Sequence, residues 1–282
     1  MKKILIFFII ITAIIVIISL FTAITGKVPL GDKVAVVRVE GVIIDSKSVI
    51  EELKDYSSDS SVKAIVLRVD SPGGGVAPSQ EIYDEVVKAK ANKKIVVSMG
   101  SVAASGGYYI SCPADKIVAN AGTLTGSMGV IMEIPNIEGL MQKIGIQNQI
   151  VKSGEHKDIA SIFKTMSPDE RKLLQVVLDD VHEQFIEAVS KGRGLSIDEV
   201  KLLADGRIFT GRMAKGVGLV DELGNLDMAI KLAAKLSGIE GEPEVVEKEE
   251  DTGFFGFLRS SFTKNFLINS MPGIKLQYML SP

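Results

Sequence analysis

Apolar and polar positions along this chain fall into three regimes. Met1-Lys2-Lys3 precedes a charge-free apolar run from Ile4 to Ile24. Its 21 residues, at about 1.5 Å each as a helix, reach roughly 31 Å and suffice to cross a hydrocarbon core. A cleaved secretory leader would have a shorter apolar region with small residues at −3 and −1. Phe21-Thr22-Ala23 sets Phe at −3, so a retained anchor is expected. Lys2 and Lys3 outweigh Lys27, while Lys33 adjoins Asp32. The positive-inside rule then leaves the bulk of the chain outside the cytoplasm.

After a short linker (25–32) the pattern alternates. Strands are expected at Lys33–Val39, Ala64–Val69, Lys94–Met99 and Lys116–Ala119, where apolar and β-branched residues concentrate. Helices are expected at Ser48–Tyr56, at Pro78–Ala91, where Ile82, Val86 and Ala89 share a face, and at Ala104–Cys112. Further strands are expected at Gly129–Glu133 and near Ile146–Lys152, with a helix over Asn136–Ile144 between them. Ser167-Pro168-Asp169-Glu170 opens a helix with a capping box, and Gly192 is its expected end. Leu174, Val177, Val181, Phe185 and Ala188 form its apolar stripe, with His182 beside it as a surface residue. Ser196–Leu203, Arg207–Thr210, Leu219–Asp221 and Leu226–Leu236 complete an α/β pattern. Such alternation predicts a mainly parallel sheet with flanking helices, whose sites lie beyond the carboxyl ends of strands.

The third regime starts at Glu240–Asp251, an acidic stretch read as a solvated linker. Gly253–Pro282 then carries Phe254, Phe255, Phe257, Phe262 and Phe266 with Arg259, Lys264 and Lys275. That tail fits an extra packing segment, a membrane-surface segment, or an end that fills the chain's own substrate groove.

Charge and composition narrow the chemistry. The net charge of −3 offers no nucleic-acid footprint. The single cysteine, Cys112, has no internal disulfide partner and reads as a buried thiol. Two histidines in the whole chain, with no ligand spacing, argue against a metal centre. No cofactor is expected, because the glycine runs lack the Gly-Lys-Ser/Thr and GxGxxG signatures.

Three short segments carry candidate chemistry. Ser105 stands in Gly100-Ser-Val-Ala-Ala-Ser105-Gly106-Gly107, beyond a strand and opening a helix. Its hydroxyl can attack a carbonyl, and the Gly106 N–H can meet the oxyanion. The turn Asp70-Ser-Pro-Gly73-Gly74-Gly75 can offer a second N–H, since glycine tolerates positive φ. Plain strand–helix turns would use the same residues. Lys157 follows in Ser153-Gly-Glu-His-Lys157-Asp158. A lysine serves as a base only when burial depresses its ordinary pKa of about 10.4.

Together with Thr123-Leu-Thr-Gly-Ser127-Met-Gly-Val and Asp205-Gly-Arg-Ile-Phe-Thr-Gly-Arg, these segments resemble, in order, the S49 peptidase family and its short-form signal peptide peptidases. The resemblance covers about Lys33 to Leu236. It implies a ClpP/crotonase-like fold and a membrane-anchored serine endopeptidase that degrades remnant signal peptides. It makes Ser105 the nucleophile, Lys157 the general base and Ser127 the group that orients the lysine. Gly74 and Gly106 become the oxyanion N–H donors, with Gly73 or Gly75 able to replace Gly74. It also implies a ring-like homo-oligomer whose sites draw on two chains. The expected organisation is an anchor over 1–26, a catalytic domain over 33–238, and a linker and tail over 239–282. Glycines at the site suggest small or apolar residues near the scissile bond. The competing readings are a Ser105/His156 mechanism, an inactive scaffold, and crotonase-like acyl-CoA chemistry.

Overall fold

In the computed structural model the described residues are Thr12, Asp32–Lys248 and Gln277–Met279. The expected anchor therefore lies outside the described residues apart from Thr12. Among the described residues no helix is long and apolar enough to cross a membrane. The chain divides into two units, Met1–Asp32 and Lys33–Pro282, and the second holds the sheet and its helices.

The central strands are β1 (Lys33–Glu40), β2 (Val62–Ser71) and β4 (Lys94–Ala104), all parallel. Between them run α1 (Lys47–Ser58), the short strand β3 (Gly73–Gly75) and α2 (Val76–Lys90). The strands are buried on both faces, because alternate side chains enter two different cores. Val34, Val36, Ala64, Val66, Val96 and Val118 meet Ala229, Ala233 and Ala234 on one side. Ala35, Val37, Ile65, Leu67, Ile95, Val97 and Met99 join the larger core on the other, with Tyr108, Phe185 and Val189.

The strand β4 continues past the expected end at Met99 and changes partner as it does so. Val96–Met99 pairs with β5 (Lys116–Ala119), and Val102–Ala104 pairs with β6 (Leu124–Gly126). The β2–β4 register shifts at the same place, between Val69 and Ser71. Asp70 manages this shift: its Oδ1 accepts the Val102 N–H at 3.0 Å. A methyl group at Gly100 would come within 2.5 Å of that carboxyl carbon, so only glycine fits there. After α3 (Gly106–Ser111), β5 and β6 come α4 (Glu138–Lys143), α5 (Pro168–Arg193), α6 (Ile197–Leu203), β7 (Ile208–Thr210) and α7 (Gly211–Gly216). β8 (Glu222–Leu223) pairs with β5, and α8 (Leu226–Leu236) is the helix that packs on the smaller core. β7 lies antiparallel to β6; every other pairing in this sheet is parallel.

Several expectations need correction. Residues 146–152 form no strand, and Ile146, Ile150 and Val151 are exposed. Among the described residues no strand pairs with them. Gly129–Glu133 is likewise irregular, apart from one bridge from Ile131 to Gln277. The acidic stretch is not all linker: β9 (Glu244–Glu247) extends the sheet parallel to β1, and Lys33 and Arg38 pair with Glu244 and Glu247. Helix α5 carries the expected capping box at Ser167 and Glu170, but it ends at Gly194, whose φ of +67° is left-handed. Gly192 is instead a packing glycine; a methyl group there would sit 2.3 Å from the Cys112 carbonyl oxygen. His182 is half-buried at the edge of the α5 stripe, and its Nε2 is buried without a hydrogen-bond partner among the described residues. Cys112 is buried as expected, and burial pushes its thiol pKa up.

Candidate active site

Ser105 occupies the turn between β4 and α3 with φ 52° and ψ −115°. A side-chain-bearing residue pays for positive φ in strain, of order 1–3 kcal/mol. Two hydrogen bonds hold it: its N–H donates to the Gly126 carbonyl at 2.7 Å, and its carbonyl accepts the Tyr109 N–H at 2.8 Å. Ser127 has φ 51°, and its N–H donates to the Arg207 carbonyl at 2.8 Å. Ala104 and Gly126 are register partners. Each serine therefore follows directly on one member of a paired couple, and both turns are strained in the same sense. Among the described residues only Ser105, Ser127 and Ala160 combine a side chain with positive φ.

The remaining motif residues hold these turns from behind. Phe209 of β7 packs on Gly126, where a methyl group would meet its ring at 2.5 Å. Thr123 and Thr125 donate their hydroxyls to the Gly100 and Ala103 carbonyls, both at 2.7 Å. Arg207 pairs with Asp205, which holds that carboxyl down to a pKa of about 2. Gly107 lets α3 settle on the end of β2, since a methyl group there would stand 2.8 Å from the Ser71 carbonyl oxygen.

The three turn glycines differ in where their amides point. The Gly73 N–H donates to Ser71 Oγ at 3.0 Å. The Gly75 N–H donates to the Ile43 carbonyl at 2.8 Å, and Ile43 N–H donates to the Gly73 carbonyl at 2.9 Å. In an extended chain the polar groups of the residue between must face the opposite edge. Gly74 is that residue, and its polar groups face the edge opposite Ile43, where Tyr278 is its register partner. Gly106, as the first residue of α3, has an N–H with no intrahelical acceptor.

The Ser105 hydroxyl is buried and has no hydrogen-bond partner. Lys157 makes no hydrogen bond to it. It lies in an exposed turn, and among the described residues its side chain makes no hydrogen bond or ion pair. His156, in the same turn, is also exposed. Neighbouring Asp158 is firmly tied: Lys152 and Lys164 reach it at 2.7 and 3.0 Å. Their hydrogen bonds hold its carboxyl down at a pKa of about 2. Lys164 also binds Glu170 of the α5 capping box at 2.5 Å.

The sequence family described as peptidase family S49 matches residues 87–240, more than half of the chain. The chain belongs to peptidase family S49. A putative protease of Synechocystis sp. is 41% identical over 221 residues, covering 78% of this chain and 79% of that protein. A putative protease of Methanocaldococcus jannaschii is 40% identical over 214 residues, 75% and 68% of the two chains. A protein of Enterococcus faecium named putative signal peptide peptidase SppA is 36% identical over 236 residues, 79% and 69% of the two. As an S49 family member this chain is a serine-type peptidase on a mixed α/β fold with a mainly parallel sheet.

Sequence reasoning left two parts of this S49 site unread. Asp70 acts as a strut for the β4 bulge rather than as a reacting group. The aromatic cluster of Tyr83, Tyr109 and Phe185 forms beside the glycine turns, with ring centroids 5.0 Å apart for both Tyr109 pairs. Its one local signal was the tyrosine pair Tyr108-Tyr109 directly after Gly107.

Proposed function

We propose that this S49 peptidase hydrolyses peptide bonds with a Ser105/Lys157 dyad, the lysine coming from a second copy of the chain. The observation that carries this reading is the pairing of a buried, partnerless Ser105 hydroxyl with a lysine left exposed on its own chain. A neutral lysine amine takes the Ser105 proton as Oγ attacks the substrate carbonyl. The oxyanion is met by the N–H groups of Gly74 and Gly106. Collapse breaks the C–N bond, and the lysine ammonium protonates the departing amine. Water, deprotonated by the same amine, then releases the acyl group as a carboxylic acid. Ser127, one residue beyond the register partner of Ala104, is suited to hold the amine in line.

A neighbouring copy would supply the low-dielectric surroundings that a lysine base needs. In support, the surface near Lys157 exposes Leu140, Ile144, Ile146 and Ile150, and the first turns of α5 expose Leu173, Val176 and Val177. These features fit a closed ring of identical subunits. The apolar segment Ile4–Ile24 would anchor the ring in the membrane with the catalytic domains outside the cytoplasm. Cleaved signal peptides, apolar and left at the bilayer, are the fitting substrates.

Mixing two inactive chains tests the dyad. Ser105→Ala and Lys157→Ala proteins are each expected to lack peptidase activity. After subunit exchange, about a quarter of the sites in a random ring combine an intact serine with a neighbour's intact lysine. Recovery of activity to that order supports a shared site. Continued silence of the mixture, with exchange verified, would refute it.

A further inference from the structure

We propose that Lys152 and Lys164 are positioning residues for the dyad: by occupying both oxygens of the Asp158 carboxylate they keep it from pairing with its neighbour Lys157, whose amine stays free to lose its proton. This inference rests on the Ser105/Lys157 reading above and names residues that act through that lysine.

Asp158 follows Lys157 directly in the chain. An opposite charge within about 4–6 Å favours the charged form of a group. A free carboxylate beside the base would hold the lysine protonated, and in that form it cannot accept the Ser105 proton.

Two ammonium groups take that carboxylate. Lys152 Nζ donates to Asp158 Oδ1 at 2.7 Å, and Lys164 Nζ lies 3.0 Å from Oδ2. Each cation is held from a second side. Lys152 also donates to the Glu155 carbonyl at 2.7 Å, and Lys164 to Glu170 Oε1 at 2.5 Å. Glu170 is fixed in turn, because its Oε2 accepts the Ser167 N–H at 2.9 Å. The bond to Glu170 is the main cause that raises the Lys164 pKa, so this cation keeps its charge wherever the enzyme works. The Asp158 and Glu170 side chains are only 12% and 10% exposed, which shields these pairs from screening by salt.

Lys157 is treated differently. It is exposed and, among the described residues, makes no hydrogen bond or ion pair, although a carboxylate stands next to it in the chain. The backbone of its turn is fixed by Lys157 N–H to the Gly154 carbonyl at 3.2 Å and Ser161 N–H to the Asp158 carbonyl at 3.0 Å. Buried Ala160 ends the turn at φ 63°, a left-handed conformation that persists only where surrounding contacts impose it. The other titratable side chains of the turn, Glu155 and His156, are exposed. From α4, the Glu138 carboxylate is taken by the Thr165 N–H and hydroxyl at 2.7 and 2.8 Å. Asp158 is thus the carboxylate that has to be kept from the amine, and it is the one with a cation on each oxygen.

The test follows the unprotonated fraction of Lys157 in two ways. In full-length Ser105→Ala chains, labelling of Lys157 by acetic anhydride across pH, quantified by mass spectrometry, needs no turnover. Lys164→Met should move the labelling midpoint upward by about one pH unit or more, and Lys152→Met should move it in the same direction. Adding Asp158→Asn to Lys164→Met should return it, and Lys164→Arg should keep the parent's midpoint. With Ser105 intact, the acid limb of kcat/KM should move by the same amount. An unmoved midpoint in both methionine variants, or a shift that persists after Asp158→Asn is added, overturns the proposal. The two lysines would then only fasten the turn and lower the rate equally at every pH. Should the labelling move as expected while a Lys157→Ala chain still cuts peptides, the dyad reading fails and the guarding of the amine stands.

Discussion

Lys157 and His156 are adjacent and equally exposed, yet only one suits the chemistry proposed. A lysine carries its amine on a long flexible stem that can reach across a subunit boundary and lose its charge when covered. We therefore expect Lys157→Ala to abolish peptide hydrolysis and His156→Ala to retain most of it, measured as kcat/KM on one peptide. The reverse pattern would favour a Ser/His mechanism. Ser105 itself depends on its neighbours' lack of side chains. A methyl group added at Gly106 would stand 2.7 Å from Ser79 Oγ, and one at Gly107 2.8 Å from the Ser71 carbonyl oxygen.

At the level of elements, the turn that bears Lys157 is fastened to the start of α5 through Asp158, Lys164 and Glu170. The Asp158 carboxyl has its pKa lowered to about 2 by hydrogen bonds from Lys152 and Lys164. A depressed carboxyl contributes fully above its unfolded value of about 3.9 and loses that contribution as pH falls through the folded value. The clamp is therefore intact at neutral and alkaline pH. Asp158→Asn is expected to lower kcat/KM by a similar factor at every pH from about 6 to about 9. A pH–rate profile of the variant checks this; a ratio to the parent that drifts across the window would show that Asp158 is not the fixed clamp described.

Across the whole molecule, the stripe on α5 divides in two. Val181, Phe185, Ile186, Ala188 and Val189 are buried in this chain, whereas Leu173, Val176 and Val177 are exposed. The same helix thus closes its own core with one half and leaves the other half apolar and exposed, the surface that the proposed ring would cover. Val177→Asp is expected to prevent assembly and to remove activity together, while leaving the circular dichroism of the folded chain intact. Light scattering gives the mass, and a fully assembled, active variant would separate this surface from the oligomer.

Much of the architecture was legible because burial imposes local patterns. β1, β2 and β4 announce themselves as apolar runs with two buried faces. The Ser167 capping box is satisfied within four residues, and α8 runs over Leu226–Leu236 as its spacing predicts. Motif order also marked Ser105, Ser127, Gly74, Gly106 and Lys157 as one set. Pairing was not legible. Residues 146–152 have the composition of a strand but find no strand to pair with among the described residues, while acidic Glu244–Glu247 finds one in β1.

Local patterning thus determined most of the segments that fold, the N-cap at Ser167 and which residues are candidates for the chemistry, because those depend on neighbours a few positions away. The tertiary structure alone decided three things. It split β4 between two partners at Gly100, set Gly74 opposite Tyr278, and seated Tyr278 among Tyr109, Phe185 and Val181. Each joins residues far apart in sequence; Tyr278 and Val181, for example, are 97 positions apart. Such contacts follow from shape and hydrogen-bond completion across the folded core, which no local periodicity encodes.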